Sequence, residues 1–374
     1  MATDDAVLGA VREALSEVED PELRRSIVEL GMISDLRREG GRLTVEVALT
    51  SDSHPWRDAL LASIESTAVG AAAGDRVELD VHTMDDAELD RLMEVLEVAP
   101  DSMPGQTREN VFQSGASRAR VIAVSSGKGG VGKSSITTNL AVALARDGAA
   151  VGLVDADVWG FSIPRMLGVD RPPNLVGRVI VPPEVHGVRC VSIGYFVDED
   201  QAVVWRGPML HKAMEQFLVD VYWGELDYLL VDMPPGTGDI AISLSQFLPT
   251  VEVVVVTTPQ LAAQRVAVRA GAMAKKANQR VLGVIENMSW LVEADGSHRA
   301  IFGEGGGEAL AEHLDVPLLG QVPIDEVLRE GADAGRPVVA AHPDSPAATE
   351  IVRIADAIAA TQRTRIRRPE LKLM

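Results

Sequence analysis

Residues 120–145 read RVIAVSSGKGGVGKSSITTNLAVALA, and this stretch decides the fold. Arg120–Val124 is a short apolar run, and Lys133–Asp147 carries apolar residues at helical spacing. The glycine-rich segment between them therefore connects a strand to a helix. Within it Gly127, Gly132, Lys133 and Ser134 stand in the G-x-x-x-x-G-K-S spacing of a phosphate-binding loop. Glycine lets backbone N–H groups close around phosphate oxygens, and the helix N-terminus adds partial positive charge. Lys133 would neutralise the β- and γ-phosphates, and Ser134 would hold Mg²⁺. A tight turn with a chance Lys-Ser pair is the bland alternative; the strand before and the helix after count against it.

Outward from the loop, apolar strand-like runs recur at Val151–Val154, Tyr228–Val231, Val251–Val256, Arg280–Ile285 and Pro317–Leu319. Helical patterns lie between them, at Met209–Val221, Ala262–Ala277 and Ala347–Thr361. Near-continuous apolar strands alternating with helices predict an α/β fold, a doubly wound parallel sheet covered on both faces. Two acids close such runs. Asp232 ends one in LLVDMPPGTGD, the position for Mg²⁺ coordination, and Gly236 and Gly238 give the following loop backbone freedom. Asp239 reads as a helix cap. Asp155 ends the run VGLVDAD and reads as a structural or outer-sphere acid.

Ahead of this domain the chain changes character. Residues 1–113 hold 25 acids and 10 bases, whereas residues 114–374 hold 30 and 25. The shift coincides with VAPDSMPGQTRENVFQSGAS, a linker-like stretch at 98–117. The expected organisation is a small acidic α/β domain at 1–97, this linker, a P-loop domain at 118–362 and a basic tail at 363–374. In the small domain, Val7, Val11 and Leu15 have helical spacing, and the alternating runs Met32–Arg38 and Leu43–Thr50 flank Gly40-Gly41 as a hairpin.

The whole chain of 374 residues has 55 acids, 35 bases and a single cysteine, Cys190. A net charge of −20 opposes general binding to nucleic acid or anionic membrane. One thiol excludes an intrachain disulfide framework and an all-cysteine metal site built from one chain. No apolar run approaches the ~20 residues that span a bilayer. The first residues carry acids where a leader would carry bases, so a cytoplasmic location is expected.

The string GKGGVGKS resembles the deviant Walker A loop of the ParA/MinD/nitrogenase-iron-protein class of P-loop ATPases. That resemblance implies an ATP-dependent homodimer in which Lys128 reaches the partner's nucleotide, much as an arginine finger does. It makes Gly127, Lys128, Gly129, Gly130, Val131, Gly132, Lys133, Ser134 and Ser135 candidate nucleotide contacts. It also makes Asp157 the residue that orients the attacking water, and Asn287 and Pro323 the flanks of the adenine. Lys128, Lys133 and Asp157 are thus the catalytic candidates, with Ser134 and Asp232 for Mg²⁺.

Longer strings narrow the resemblance. DADVWGFSIPRMLG, WRGPML, DYLLVDMPPGTGD, IENMSW and IFGEGGGEALA are together similar to the Mrp-type iron–sulfur cluster carrier ATPases, over most of residues 114–360. DPELRRSIVELGMISDL and TSDSHPWRDAL likewise resemble the small domain of iron–sulfur assembly factors. The resemblance implies ATP-dependent delivery of iron–sulfur clusters to apoprotein clients. It also implies a Cys-x-x-Cys pair after ENMS, where this chain has Glu293 and Asp295; carboxylates are hard ligands and substitute poorly for thiolates at a cluster. His54 stands where the small domain often has cysteine, and reads as a capping or surface residue. Cys190, in the strand-like VRCVSI, reads as a buried hydrophobe. An ATP-switched dimeric scaffold without a cluster is the other reading. A MinD- or ParA-like positioning ATPase is a third; Pro369 interrupts the basic tail that would anchor it to a membrane.

Overall fold

The computed structural model describes residues 4–52, 54–96, 98, 110–114, 117–157, 160–196, 207–236, 244, 246–248, 250–293 and 295–363. The chain divides into two compact units: Met1–Arg108 with Asn174–Val181, and Glu109–Pro173 with Pro182–Met374. The expected P-loop domain at 118–362 includes residues 174–181, which group instead with the first unit. Among the described residues, no helix is long and apolar enough to cross a membrane.

The first unit contains α1 (Asp4–Ser16), β1 (Ile33–Glu39), β2 (Arg42–Leu49), α2 (Arg57–Ala71), β3 (Arg76–Thr83) and α3 (Asp86–Val95). Gly40 and Gly41 both have φ above +50°, as a tight hairpin requires, and join β1 and β2 antiparallel. Helix α2 then carries the chain over so that β3 lies parallel to β2. Val7, Val11 and Leu15 of α1 and Leu60, Ile64 and Ala68 of α2 are the buried helix faces. His54 keeps the capping half of its sequence reading, its Nδ1 accepting from the N–H of Trp56 at the start of α2 over 3.3 Å. It is buried rather than on the surface, with Nε2 3.0 Å from Asp20 Oδ2 and 3.7 Å from Glu22 Oε2. A buried imidazole needs such partners, and they come from a turn more than thirty residues away.

In the second unit follow α4 (Val111–Ser114), β4 (Arg120–Ser126), α5 (Lys133–Ala145), β5 (Val151–Asp155) and α6 (Ile163–Leu167). The short β6 (Asn174–Val176) and β7 (Val179–Val181) form the hairpin grouped with the first unit. Then come β8 (Glu184–Val185), β9 (Val188–Ser192), α7 (Gly207–Val219), β10 (Tyr228–Asp232) and β11 (Glu252–Thr257). The rest comprises α8 (Leu261–Lys276), β12 (Arg280–Val292), β13 (His298–Arg299), α9 (Gly306–Leu314), β14 (Leu318–Ile324), α10 (Glu326–Ala334), α11 (Val338–Ala341) and α12 (Pro346–Ala360).

The nine-stranded sheet runs β13-β12-β11-β4-β10-β5-β9-β8, with β14 on the free side of β12. All pairings from β9 through β14 are parallel apart from the terminal β8 and β13. Strands β5 and β11 are buried at every residue, which explains their unbroken apolar runs. Helices α5 and α12 cover one face in a single core with Ile122, Val124, Leu153 and Val254; α8 and α9 pack against β11 and β12. The parallel order brings the carboxyl ends of β4, β10 and β5 side by side, where a doubly wound sheet binds ligands.

One element is longer than its sequence pattern. The apolar run ends at Ile285, yet β12 continues through Glu286–Val292 because β14 pairs with it there. Tertiary pairing overrides local propensity at that point.

Candidate nucleotide site

The loop between β4 and α5 turns through Gly130 and Gly132, both with φ near +79°. Gly127 is required for a different reason: a Cβ there would lie 2.2 Å from the backbone nitrogen of Ala267 in α8. Lys133 opens α5 and is buried. Its Nζ lies 2.6 Å from Asp232 Oδ2, 3.3 Å from Ser134 Oγ and 3.7 Å from Asp157 Oδ2. Ser134 Oγ donates to the same Asp232 oxygen over 2.6 Å, and Thr137 Oγ1 is 2.7 Å from the other.

A fully buried carboxylate thus meets one ammonium and two hydroxyls. The donors offset the desolvation that would otherwise disfavour its charge. The register Asp232↔Val124 across β10 and β4 sets this carboxylate at the start of the loop. Ser134 and Asp232 offer two hard oxygens side by side, a donor set that suits Mg²⁺. Thr137 was not foreseen; its place one helical turn after Lys133, on the same face, is the signal that marks it.

Asp155 ends β5 directly opposite Asp232, Asp157 follows two residues on, and their roles separate. Asp155 is enclosed: its carboxylate accepts from Ser192 Oγ at 3.0 Å and from the N–H groups of Asp157, Ser162 and Ile163. It therefore ties down the loop leading into α6. Burial, followed by the charge of the adjacent Asp232, pushes its pKa up to about 7. The main-chain N–H of Asp157 donates to Asp155, and its carboxylate faces Lys133. Gly238 and Asp239 lie outside the described residues.

Lys128 stands apart from Lys133. Its Nζ donates to Gln260 Oε1 over 3.0 Å. Asn287 comes to the loop from β12: it is buried, and its Nδ2 donates to the Val131 carbonyl over 2.9 Å. Its Oδ1 is buried without a partner, an acceptor free for a ligand's amino group. Pro323 is separated from this group; it lines a cavity of about 440 Å³ with Trp290, Val292, Leu318, Pro346 and Arg353, and no residue of the phosphate loop borders that cavity. Ser135 faces away from Asp232, with its Oγ 3.9 Å from Met166 Sδ in α6.

The segment after ENMS is a tight hairpin between β12 and β13. Glu293 and Ser297 are paired through their main chains, and Gly296 has φ +82°. Glu293 is bound to Arg299, and Asp295 accepts from Ser297 N–H at 2.9 Å and Oγ at 2.6 Å. Both carboxylates are occupied within the turn. Cys190 lies in β9, wholly buried; burial, then the charge of Asp155, pushes its thiol well above the usual range. Among the described residues, no three His, Cys, Asp or Glu side chains are placed to hold a metal ion.

Comparison with known proteins adds what geometry alone leaves open. Residues 117–359 match the ParA family model described as NUBPL iron-transfer P-loop NTPase, and residues 9–81 match the iron–sulfur cluster assembly protein model. An iron-sulfur cluster carrier protein of Mycobacterium leprae is 47% identical over 95% of this chain and 93% of its own length. One from Synechocystis is 42% identical over 96% and 98%. Among solved structures, an Archaeoglobus fulgidus nucleotide-binding protein in complex with ADP is 36% identical, with a TM-score of 0.52 over 58% of this chain and 87% of that one. The Pyrococcus furiosus cell division ATPase MinD is 27% identical, with a TM-score of 0.52 over 64% and 98%.

Proposed function

This chain belongs to the iron–sulfur cluster carrier family of ParA-type P-loop NTPases, and on that premise we propose that it is a Mg²⁺-dependent ATPase of iron–sulfur cluster delivery that closes as a homodimer around ATP. The observation that carries the reading is the convergence of Lys133, Ser134 and Thr137 on the buried Asp232 at the mouth of a glycine loop.

In this reading the loop N–H groups from Gly129 to Ser134 cradle the phosphates, and Lys133 turns from Asp232 to the β- and γ-phosphates. Ser134 and Asp232 would hold Mg²⁺, which supplies charge neutralisation to the phosphates when bound. Thr137 keeps the Asp232 carboxylate oriented. Asp157, its carboxylate facing Lys133 and its main chain held by Asp155, orients the attacking water. Asn287 offers Oδ1 to the adenine amino group, while Lys128 supplies charge to the partner's nucleotide. Pro323, on the neighbouring strand β14, stays the weaker adenine contact, because it faces another cavity.

The cluster is cargo, and this chain does not supply the thiolates to bridge it. The 374-residue sequence has one cysteine, which is buried, and Glu293 and Asp295, near where the resemblance implies cysteines, are bound within their own hairpin. The reading consistent with both facts is that an assembly partner or apoprotein client provides the sulfur ligands, in the cytoplasm. The single cysteine equally favours the second reading, an ATP-switched dimeric scaffold that never touches a cluster. Anaerobic reconstitution with iron and sulfide, with and without nucleotide and an apoprotein acceptor, separates the two: cluster transfer supports delivery, and no transfer under any condition supports the scaffold.

The ATPase reading is tested by Lys128→Ala. Turnover should fall about 10³-fold or more, within the range seen for groups that stabilise transition-state charge in trans, while ATP affinity stays within about threefold. Unchanged turnover would sink the dimeric mechanism.

A further inference from the structure

Lys128 is half-buried, and among the described residues no acid lies within ion-pair distance of its ammonium. Its partner is a neutral amide, Gln260, whose Oε1 is 3.0 Å from Nζ. The same oxygen is 3.4 Å from Thr258 Oγ1, so the acceptor is held from its own side. Gln260 occupies the N-cap position of α8 with an extended backbone, yet its side chain makes no cap hydrogen bond. The side chain is given over to the lysine instead.

Two features of the fold bring Gln260 to this place. Strand β11 lies beside β4, with Val256 opposite Ser126, so the residues after β11 emerge alongside the start of the phosphate loop. Helix α8 then passes so close to Gly127 that only glycine fits beneath it. The closeness of loop and helix therefore does not depend on the Lys128–Gln260 contact; it is built into the backbone.

We propose that Gln260 is a positioning residue for Lys128: it parks the lysine on its own protomer while leaving its positive charge intact. An amide accepts one hydrogen bond from an ammonium and lets it go at modest cost, whereas a carboxylate would bind it as a charge-assisted pair, roughly twice as strongly. The parked lysine keeps the full charge that a second protomer's phosphates attract, and exchanges one oxygen acceptor for another as the dimer closes. Replacing the amide by an acid would trap and neutralise it. This inference rests on the trans role of Lys128 proposed above.

The test is steady-state ATP hydrolysis by full-length Gln260→Glu and Gln260→Ala proteins, with ATP binding followed separately. Gln260→Glu should lower kcat about tenfold at pH 8 with ATP affinity within about twofold, since a charge-assisted bond replaces a neutral one. The deficit should shrink as pH falls toward the glutamate range near about 4.3, a pH dependence that a merely structural defect would lack. Gln260→Ala, which removes the parking acceptor, should lower kcat about threefold with no such pH dependence, and Gln260→Glu should add nothing in a Lys128→Ala background. Wild-type turnover in Gln260→Glu at every pH would overturn the proposal, as would an equal loss in Gln260→Ala. Should Lys128→Ala itself turn over ATP normally, the dimeric reading fails first; should only the Gln260 variants behave as the parent, that reading stands and this one falls.

Discussion

The phosphate loop and the β12–β13 hairpin share one sheet, yet they use carboxylates in opposite ways. At the loop, Asp232 is fully buried and serves three donors from one helix. At the hairpin, Glu293 and Asp295 are consumed by neighbours six and two residues away. A buried, shared carboxylate leaves a site poised for a cation or phosphate, because loss of any partner exposes an unmet charge. An exposed carboxylate in its own turn only shapes that turn. The two regions thus differ in whether a carboxylate's partners hold a site together or merely fill a turn.

The largest break in this comparison is expected from paired glycine substitutions. Gly127→Ala forces a Cβ to 2.2 Å from the α8 backbone, so the loop or the helix must move. Overpacking of this kind costs about 1–3 kcal/mol, and nucleotide binding should drop below detection in a calorimetric titration. Gly296→Ala at the hairpin meets open space and only the strain of φ +82°, about 1–2 kcal/mol locally, so turnover should change less than twofold. Equal ATPase defects in the two variants would erase the distinction between the regions.

Asn287→Ala probes the strand that connects them. It removes the hydrogen bond to Val131, worth about 0.5–1.5 kcal/mol, and with it the unpartnered Oδ1. ATP affinity should weaken about tenfold, one charge-free contact's worth at the upper end of that range. Equal binding of ATP and GTP by the parent protein would argue that this oxygen does not read the base.

A smaller effect concerns pH. The folded protein holds the Asp155 pKa at about 7, above the 3.8 of a free aspartate. The stabilisation from its protonated form is therefore complete below the unfolded value and is lost as pH rises through about 7. Urea midpoints of the nucleotide-free protein should show that decline, and Asp155→Asn should flatten it. A slope unchanged by Asp155→Asn would place the titration elsewhere.

Smallest of all, Glu293→Ala with Asp295→Ala should alter neither turnover nor iron uptake by as much as twofold, since exposed pairs contribute little. A marked loss of iron on anaerobic reconstitution would make the hairpin a ligand after all.

Much of this molecule is legible in one dimension. The spacing of Gly127, Gly132, Lys133 and Ser134 announces the loop, because a phosphate cradle is built from consecutive backbone groups. The unbroken apolar runs announce parallel strands, because burial on both faces leaves no polar side. The lone cysteine speaks for itself: a missing thiol cannot be supplied by folding. Other features depend on which segments meet. Lys133 finds Asp232 across 99 residues, Lys128 finds Gln260 across 132, and Asn287 finds Val131 across 156. His54 reads as a capping or surface residue, and only the fold shows that the Asp20 turn encloses it. Local spacing sets backbone conformation and the side an apolar residue faces. The order of strands in the sheet decides which distant polar groups must satisfy one another, and that order exists only once the chain has folded.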